Sequence, residues 1–270
     1  MAADVPSTEV LDTHLAKFLQ AKEDISLIWA PSPNWPIRPL TTLSILDSSF
    51  NPPTRAHVAL AALSHATDTA IDPLLLLLSV QNADKPPPDP SRDASYAQRL
   101  QMMIILARHL GPRAAVGVTI QPTFVGKARA LRAWLGGQSL NGNGTRPELA
   151  FLVGYDTLQR ILAPKYYGGA EAMRAALRGF FEDGARLVVA RRDAAAYPAF
   201  AGASDMPVLL QEFRDGIEMR DFENEEGISA DGLTMISSSA VRKAVAEGDP
   251  GWLGLVPLPI SEYVRESGLY

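Results

Sequence analysis

The sequence predicts an α/β chain built on a doubly wound, mainly parallel sheet with helices on both faces. Three observations carry that expectation. Short apolar segments alternate with longer amphipathic ones along most of the chain, and strand–helix alternation of this kind builds a parallel sheet. The run Leu74 to Val80 is apolar without a two-residue alternation, as expected of a strand covered on both faces. The chain has 270 residues, 47% hydrophobic and 20% charged, enough to bury a large core in one α/β domain or in two small ones.

Each element has its own justification. Thr8 to Glu23 reads as an amphipathic helix, because Leu11, Leu15, Phe18 and Leu19 recur at helical spacing. Ala30 to Pro36 is proline-rich and should be an extended connection. Leu43 to Leu46 is a short apolar strand, and the Ala/Leu-rich stretch Pro53 to Ala66 a helix. After the Leu74–Val80 strand, Gln81 to Arg92 is a loop containing Pro86-Pro87-Pro88, and Ala94 to Leu110 is a helix ended by Gly111-Pro112. Ala115 to Ile120 is a strand and Lys127 to Leu135 a helix. Gly136 to Pro147, rich in Gly and Asn, is expected to be a mobile loop. Ala150 to Val153 and Arg186 to Ala190 are strands flanking a Gly169–Phe181 helix. Asp215 to Gly232 is polar with weak signals, and Ser239 to Glu247 and Ile260 to Glu266 close the chain as helices. No internal repeat is visible. These readings divide the chain into a helical extension with its proline-rich connection, residues 1–38, and one Rossmann-like domain, residues 39–270.

Composition narrows the function classes. With 25 Lys+Arg against 30 Asp+Glu the formal net charge is −5, which argues against a partner that is a nucleic acid polymer, since such binders present a basic surface. A small anion held in a local pocket remains compatible. Cysteine is absent, so disulfides, thiolate metal sites and cysteine nucleophiles are excluded. The opening residues lack a basic segment followed by an apolar run, and the longest apolar stretch is far short of the ~20 residues that span a bilayer. No membrane association is expected, and the expected location is cytoplasmic, with the nucleus as a second compartment.

In a doubly wound sheet, ligands sit outside the carboxyl ends of the strands, so the residues that follow each strand matter most. After the first such strand come Ser48-Ser49-Phe50-Asn51-Pro52-Pro53-Thr54-Arg55-Ala56-His57. A tight turn here would meet a helix N-terminus, whose free N–H groups seat phosphate. His57 falls in the first helical turn and can donate a hydrogen bond to a phosphoryl oxygen. Read alone, the segment also fits an ordinary turn with a helix-terminal histidine. Near the other end stands Ile236-Ser237-Ser238-Ser239-Ala240-Val241-Arg242. Small hydroxyl residues opening a helix offer donors to phosphate. Arg242 follows Ser238 and Ser239 at helical spacing, and an arginine fork suits a pair of polyphosphate oxygens. Read alone, this too fits an ordinary N-cap followed by a solvated basic pair.

Together the two segments resemble the paired signatures of the histidine-loop nucleotidyltransferase superfamily, G-x-F-x-P-x-[HT]-x-x-H and I-S-S-T-x-[IV]-R. Phe50, Asn51, Pro52, Thr54 and His57 match the first, with Ser48 and Ala56 where glycine is usual. Ser239 replaces threonine in the second. The Thr54-x-x-His57 variant is similar to that of nicotinamide mononucleotide adenylyltransferases, and the chain is identified as a member of that group, with the fungal branch as its expected place. The resemblance runs from about Leu40 to the last residue and implies catalytic roles for His57 and Arg242. It implies substrate contacts from Ser49, Phe50, Thr54, Ser238 and Ser239. Gly154-Tyr155-Asp156 looks like the family's G-x-D, which implies ribose binding by Gly154 and Asp156; Asp156 also fits a helix N-cap. Lys85 stands where related enzymes carry a phosphate-contacting lysine. Arg99 and Met102 read as a loop brace and a core residue, and the closing segment through Tyr270 as a packed helix. The family's Leu-Pro-x-Trp segment is replaced by Ala163-Pro164-Lys165-Tyr166-Tyr167, so Tyr166, Tyr167 or Trp134 would supply an aromatic face.

The implied reaction is adenylyl transfer from ATP to nicotinamide mononucleotide or nicotinate mononucleotide, giving the dinucleotide and pyrophosphate. Mg²⁺ would be carried with ATP, and no metal site made by the protein itself is expected. Alternatives are a different phosphorylated acceptor or a nucleotide-binding regulatory protein with little catalysis.

Overall fold

In a computed structural model, the described residues are 5–36, 39–64, 66–67, 70–81, 89, 92–136, 146–191, 206–224 and 228–270. Lys85 and residues 137–145 of the Gly/Asn-rich loop lie outside them. The chain begins with α1 (Thr8–Ala21) and β1 (Ile25–Trp29). It runs on through β2 (Thr42–Asp47), α2 (Arg55–Ala62), the short strands β3 (Ala66–Thr67) and β4 (Ala70–Ile71), β5 (Leu74–Ser79), α3 (Tyr96–His109) and β6 (Ala114–Thr119). Then come α4 (Phe124–Gly136), β7 (Glu148–Gly154), α5 (Tyr155–Ile161), α6 (Ala170–Glu182), β8 (Ala185–Ala190), α7 (Met206–Glu212), β9 (Ile217–Arg220), α8 (Ala230–Met235), α9 (Ser238–Ala246) and α10 (Leu258–Glu266).

Seven strands form one sheet in the order β1-β6-β5-β2-β7-β8-β9, with β3 and β4 paired apart from it. All neighbours in the large sheet are parallel except β1 and β6. The parallel strands alone follow the doubly wound order, in which the chain turns outward in opposite directions from β2. The crevice between the carboxyl ends of β2 and β7 is therefore the topological switch point.

Burial explains why β5 reads as it does. Leu74, Leu76 and Leu78 enter one apolar layer with α1, α3, α9 and α10, while Leu75 and Leu77 enter the other with α4, α5 and α6. Successive side chains point to opposite faces, so a strand covered twice needs leucine at every position. The expected α/β architecture is the one observed.

Several elements were not read from the sequence, α5, α7 and α8 among them, and two of the others extend the main sheet. Residues Ile25–Trp29 form β1, the antiparallel edge of the main sheet, immediately before the proline-rich connection. Gly117 of β6 permits this approach, because a Cβ there would stand 3.2 Å from the Ser26 carbonyl oxygen. The N-terminal helix docks with it: Leu11, Leu15 and Phe18 are buried in the core layer that contains α3, and Gln101 Nε2 donates to the Pro6 carbonyl at 2.7 Å. Residues 217–220, in the stretch with weak signals, form β9 beside β8.

Candidate active site

A cavity of about 970 Å³ opens at the switch point. Its floor is the loop after β2. Its walls come from α4, α5 and the turn after α5 on one side, and from α3, α9 and Tyr270 on the other.

The loop after β2 is tightly specified. Phe50 adopts φ +44°, a left-handed conformation costing a non-glycine residue about 1–2 kcal/mol. Full burial of its ring, which lies tilted against the His57 ring with centroids 5.1 Å apart, offsets that cost. The Asn51–Pro52 peptide bond is cis. Thr54 caps α2: His57 Nδ1 lies 3.0 Å from the Thr54 backbone nitrogen and 2.9 Å from its hydroxyl. On the ring's other side, Nε2 lies 2.9 Å from Ser48 Oγ. Burial pushes His57 down from its ordinary 6.5 to about 4, so the ring is neutral at physiological pH.

Asn51 ties this loop to the rest of the site. Its Oδ1 accepts from the Ala94 N–H at 3.1 Å and from the Tyr270 hydroxyl at 2.7 Å, and its Nδ2 donates to Asp93 at 2.5 Å. The second signature meets the first here. Ser238 Oγ donates to the Pro52 carbonyl at 2.7 Å, and Arg242 Nη1 donates to the Asn51 carbonyl at 2.6 Å. Ser237, one residue ahead of the pair singled out in the sequence, is the N-cap of α9 and accepts from Ala240 N–H at 3.2 Å. Asp93 faces Arg242 at 3.7 Å and Arg99 at 4.0 Å. The two guanidiniums are thus held beside one carboxylate with charge left over for an anion.

The sequence-derived residues divide into three groups. Ser49, Ser239 and Arg242 border the cavity. Phe50 and Thr54 are buried beneath the loop floor, and Ser238 joins the two signatures. Phe50 and Thr54 therefore shape the loop and set His57, and their side chains do not reach the cavity. His57 itself is only 8% exposed and does not border the cavity, whereas Ser48, its hydrogen-bond partner at Nε2, does. Gly154 and Asp156 open α5, while the α5 residues that border the cavity are Thr157, Arg160 and Ile161. Arg99 braces its loop as expected, with Nε on the Ala94 carbonyl, and Met102 is fully buried. Of the aromatic candidates, Tyr166 and Tyr167 border the cavity. Trp134 packs instead against the core layer beneath α4. The Tyr167 hydroxyl donates to the Ile161 carbonyl at 2.8 Å, and burial pushes its phenol up to about 12.

Besides Asp93, further contributors escaped the sequence reading. Lys127 and Asp47 form a buried ion pair at 2.6 Å against the cavity, and the Lys127 ammonium stands 5.0 Å over the Phe124 ring, which also borders it. Tyr270 reaches back to Asn51 from the end of the chain. No local pattern marks any of these pairings, because their partners lie far apart in sequence.

Comparison with known proteins fits this geometry. No protein-family model matches the chain. A Schizosaccharomyces pombe protein named "Putative nicotinamide mononucleotide adenylyltransferase" is 33% identical over 214 residues, covering 76% of each chain. The chain belongs to the nicotinamide mononucleotide adenylyltransferase family. Solved structures agree on the fold. The adenylyltransferase for nicotinic acid mononucleotide from Plasmodium falciparum, complexed with APC, superimposes with a TM-score of 0.53 at 14% identity, over 85% of this chain and 97% of that one. The same enzyme complexed with NaAD gives a TM-score of 0.51 at 15% identity, with the same coverage. Family membership makes the chain a nucleotidyltransferase, as the paired signatures implied.

Proposed function

We propose that this adenylyltransferase joins ATP to the 5′-phosphate of nicotinamide mononucleotide or nicotinate mononucleotide. A phosphate oxygen of the mononucleotide attacks the α-phosphorus of ATP. A new P–O bond forms as the bond from that phosphorus to the bridging oxygen breaks, and pyrophosphate leaves with the electron pair. The nucleophile is already an anion, so positioning and charge neutralisation supply the catalysis. The observation that carries this reading is the junction of the two signatures, Ser238 on Pro52 and Arg242 on Asn51, at the floor of the switch-point cavity.

The residues take roles according to what they reach. Ser49, Ser239 and Arg242 present donors to the triphosphate. Phe124, Tyr166 and Tyr167 offer aromatic faces on the opposite wall, where a pyridine ring can stack. Asp156 and Gly154, which open α5 next to the cavity residue Thr157, hold a ribose in this reading. Mg²⁺ enters as part of the MgATP substrate, keeping water and phosphate oxygens as ligands. Two of the cavity carboxylates fit a cage poorly, because Asp47 is engaged by Lys127 and Asp93 by Asn51. The protein acts as a soluble cytoplasmic or nuclear enzyme. Among the described residues, no helix is long and apolar enough to cross a membrane.

The test is product formation. Purified protein with ATP, Mg²⁺ and each mononucleotide should release the dinucleotide and pyrophosphate in equal amounts. Arg242→Ala should lower kcat/KM by roughly 100-fold. Absence of dinucleotide from both acceptors would overturn the reading.

A further inference from the structure

Ser48 separates His57 from the cavity. It borders that space, whereas the imidazole lies behind it with Nε2 2.9 Å from Ser48 Oγ. The direction of that hydrogen bond follows from the other nitrogen. The Thr54 backbone N–H reaches Nδ1 at 3.0 Å and can only donate, so Nδ1 is an acceptor. A neutral ring then carries its hydrogen on Nε2 and donates it to Ser48 Oγ. The serine oxygen thereby uses a lone pair on His57 and keeps its own hydrogen for another acceptor. Among the described residues no second hydrogen bond of the Ser48 side chain is found, and the hydroxyl stands on the cavity side.

We propose that Ser48 makes the direct phosphoryl contact on this side of the site, its hydroxyl donating to an ATP phosphate oxygen while His57 polarises and orients it from behind. The proposal rests on the adenylyl-transfer reading and deepens it. His57 is then a positioning residue and Ser48 the group that touches substrate. The chain Nε2–H to Oγ, then O–H to phosphate, is cooperative, because each donor is polarised by the one before it. No proton changes owner: the serine hydrogen stays on oxygen throughout the transfer. The neutral ring is required, since a protonated Nδ1 would face the Thr54 N–H donor-to-donor. Desolvation of His57 by burial keeps it neutral. Replacing the usual glycine by serine thus moves the phosphate contact outward by one side chain without discarding the histidine.

A double-mutant cycle tests this. Wild type, Ser48→Ala, His57→Ala and the double variant would each be assayed for MgATP affinity by calorimetry and for dinucleotide formation from nicotinamide mononucleotide. Ser48→Ala should lower kcat/KM by roughly 100-fold, the usual cost of one preorganised donor, and Ser48→Thr should keep most of the activity. In the double variant the two losses should not multiply, because either substitution already breaks the relay. Ser48→Ala within twofold of wild type in both readouts would overturn the proposal, as would losses that multiply. Should His57→Ala fail to fold, imidazole ¹⁵N spectroscopy on wild type decides the same point: hydrogen on Nε2 supports the relay and hydrogen on Nδ1 overturns it. Wild type that binds MgATP but makes no dinucleotide would defeat the adenylyl-transfer reading alone, since the affinity cycle still reports on Ser48. Wild type that binds no MgATP would defeat the relay.

Discussion

Asn51 shows how one side chain can hold a site together. Its amide contacts Ala94, Asp93 and Tyr270 while its carbonyl receives Arg242. Asn51→Ala leaves the Ala94 N–H and part of Asp93 without partners, and each buried group so orphaned costs about 1–3 kcal/mol. The expected outcome is a loss of about 3 kcal/mol in urea unfolding together with loss of MgATP affinity, since the loop whose backbone carbonyl receives Arg242 loses its side-chain ties to Ala94, Asp93 and Tyr270. A urea midpoint unchanged from wild type would contradict this. His57 makes a second residue-scale prediction, in pH dependence. Its folded value near 4 lies below the ordinary 6.5. Between those values the unfolded chain binds a proton that the native ring refuses. Its contribution to stability is therefore complete above pH 6.5 and is lost progressively as pH falls toward 4, by about 3 kcal/mol in total. Urea midpoints at pH 7, 5.5 and 4.5 should show that decline, and His57→Gln should lack this part of it.

At the scale of elements, α4 is fastened to β2 through Lys127 and Asp47, whose side chains are 5% and 10% exposed. Removing one partner strands a buried charge. Lys127→Met should cost about 3–5 kcal/mol, whereas the double change Lys127→Met with Asp47→Leu should recover most of it. Thermal unfolding of the three variants would check this, and a double variant less stable than the single would contradict it. Which elements the sequence discloses follows from similar considerations. β5 is legible because burial on both faces demands an unbroken apolar run, and α3 because fourteen residues carry a capping box from Ser95 to Gln98. β1 is hidden because an edge strand is half exposed and needs no strict pattern. α5 is hidden because it has only seven residues and Gly154 supplies no side-chain cap. The loop after β2 and the N-terminus of α9 are legible because they are local structures with local residue requirements. The Asn51–Asp93, Asn51–Tyr270 and Lys127–Asp47 pairings are not. Their partners are 42, 219 and 80 residues apart, and only the completed sheet brings them together.

For the whole molecule, a net charge of −5 sets the long-range field against an anionic substrate. In the proposed reading, attraction comes from within a few ångströms, from basic residues that border the cavity, Arg242 and Arg99 among them, and from the donors of two loop–helix junctions. These two contributions answer to salt in opposite directions. Added salt screens the repulsion of the acidic surface over a Debye length of about 10 Å at 0.1 M. It weakens the partly buried arginine contacts much less, because few ions reach them. The affinity for MgATP should therefore change by less than about threefold between 50 and 200 mM salt, unlike a polyanion site whose affinity falls by about 10³-fold or more over that range. Bound ligand should also raise the thermal midpoint, since saturation at a hundred times Kd stabilises by about 2.7 kcal/mol, or roughly 5 °C for a chain of this size. Calorimetry at the two salt concentrations measures the first quantity directly. A tenfold or greater loss of affinity would mean that the triphosphate is gathered by a broad basic field, which the net charge of the chain does not supply.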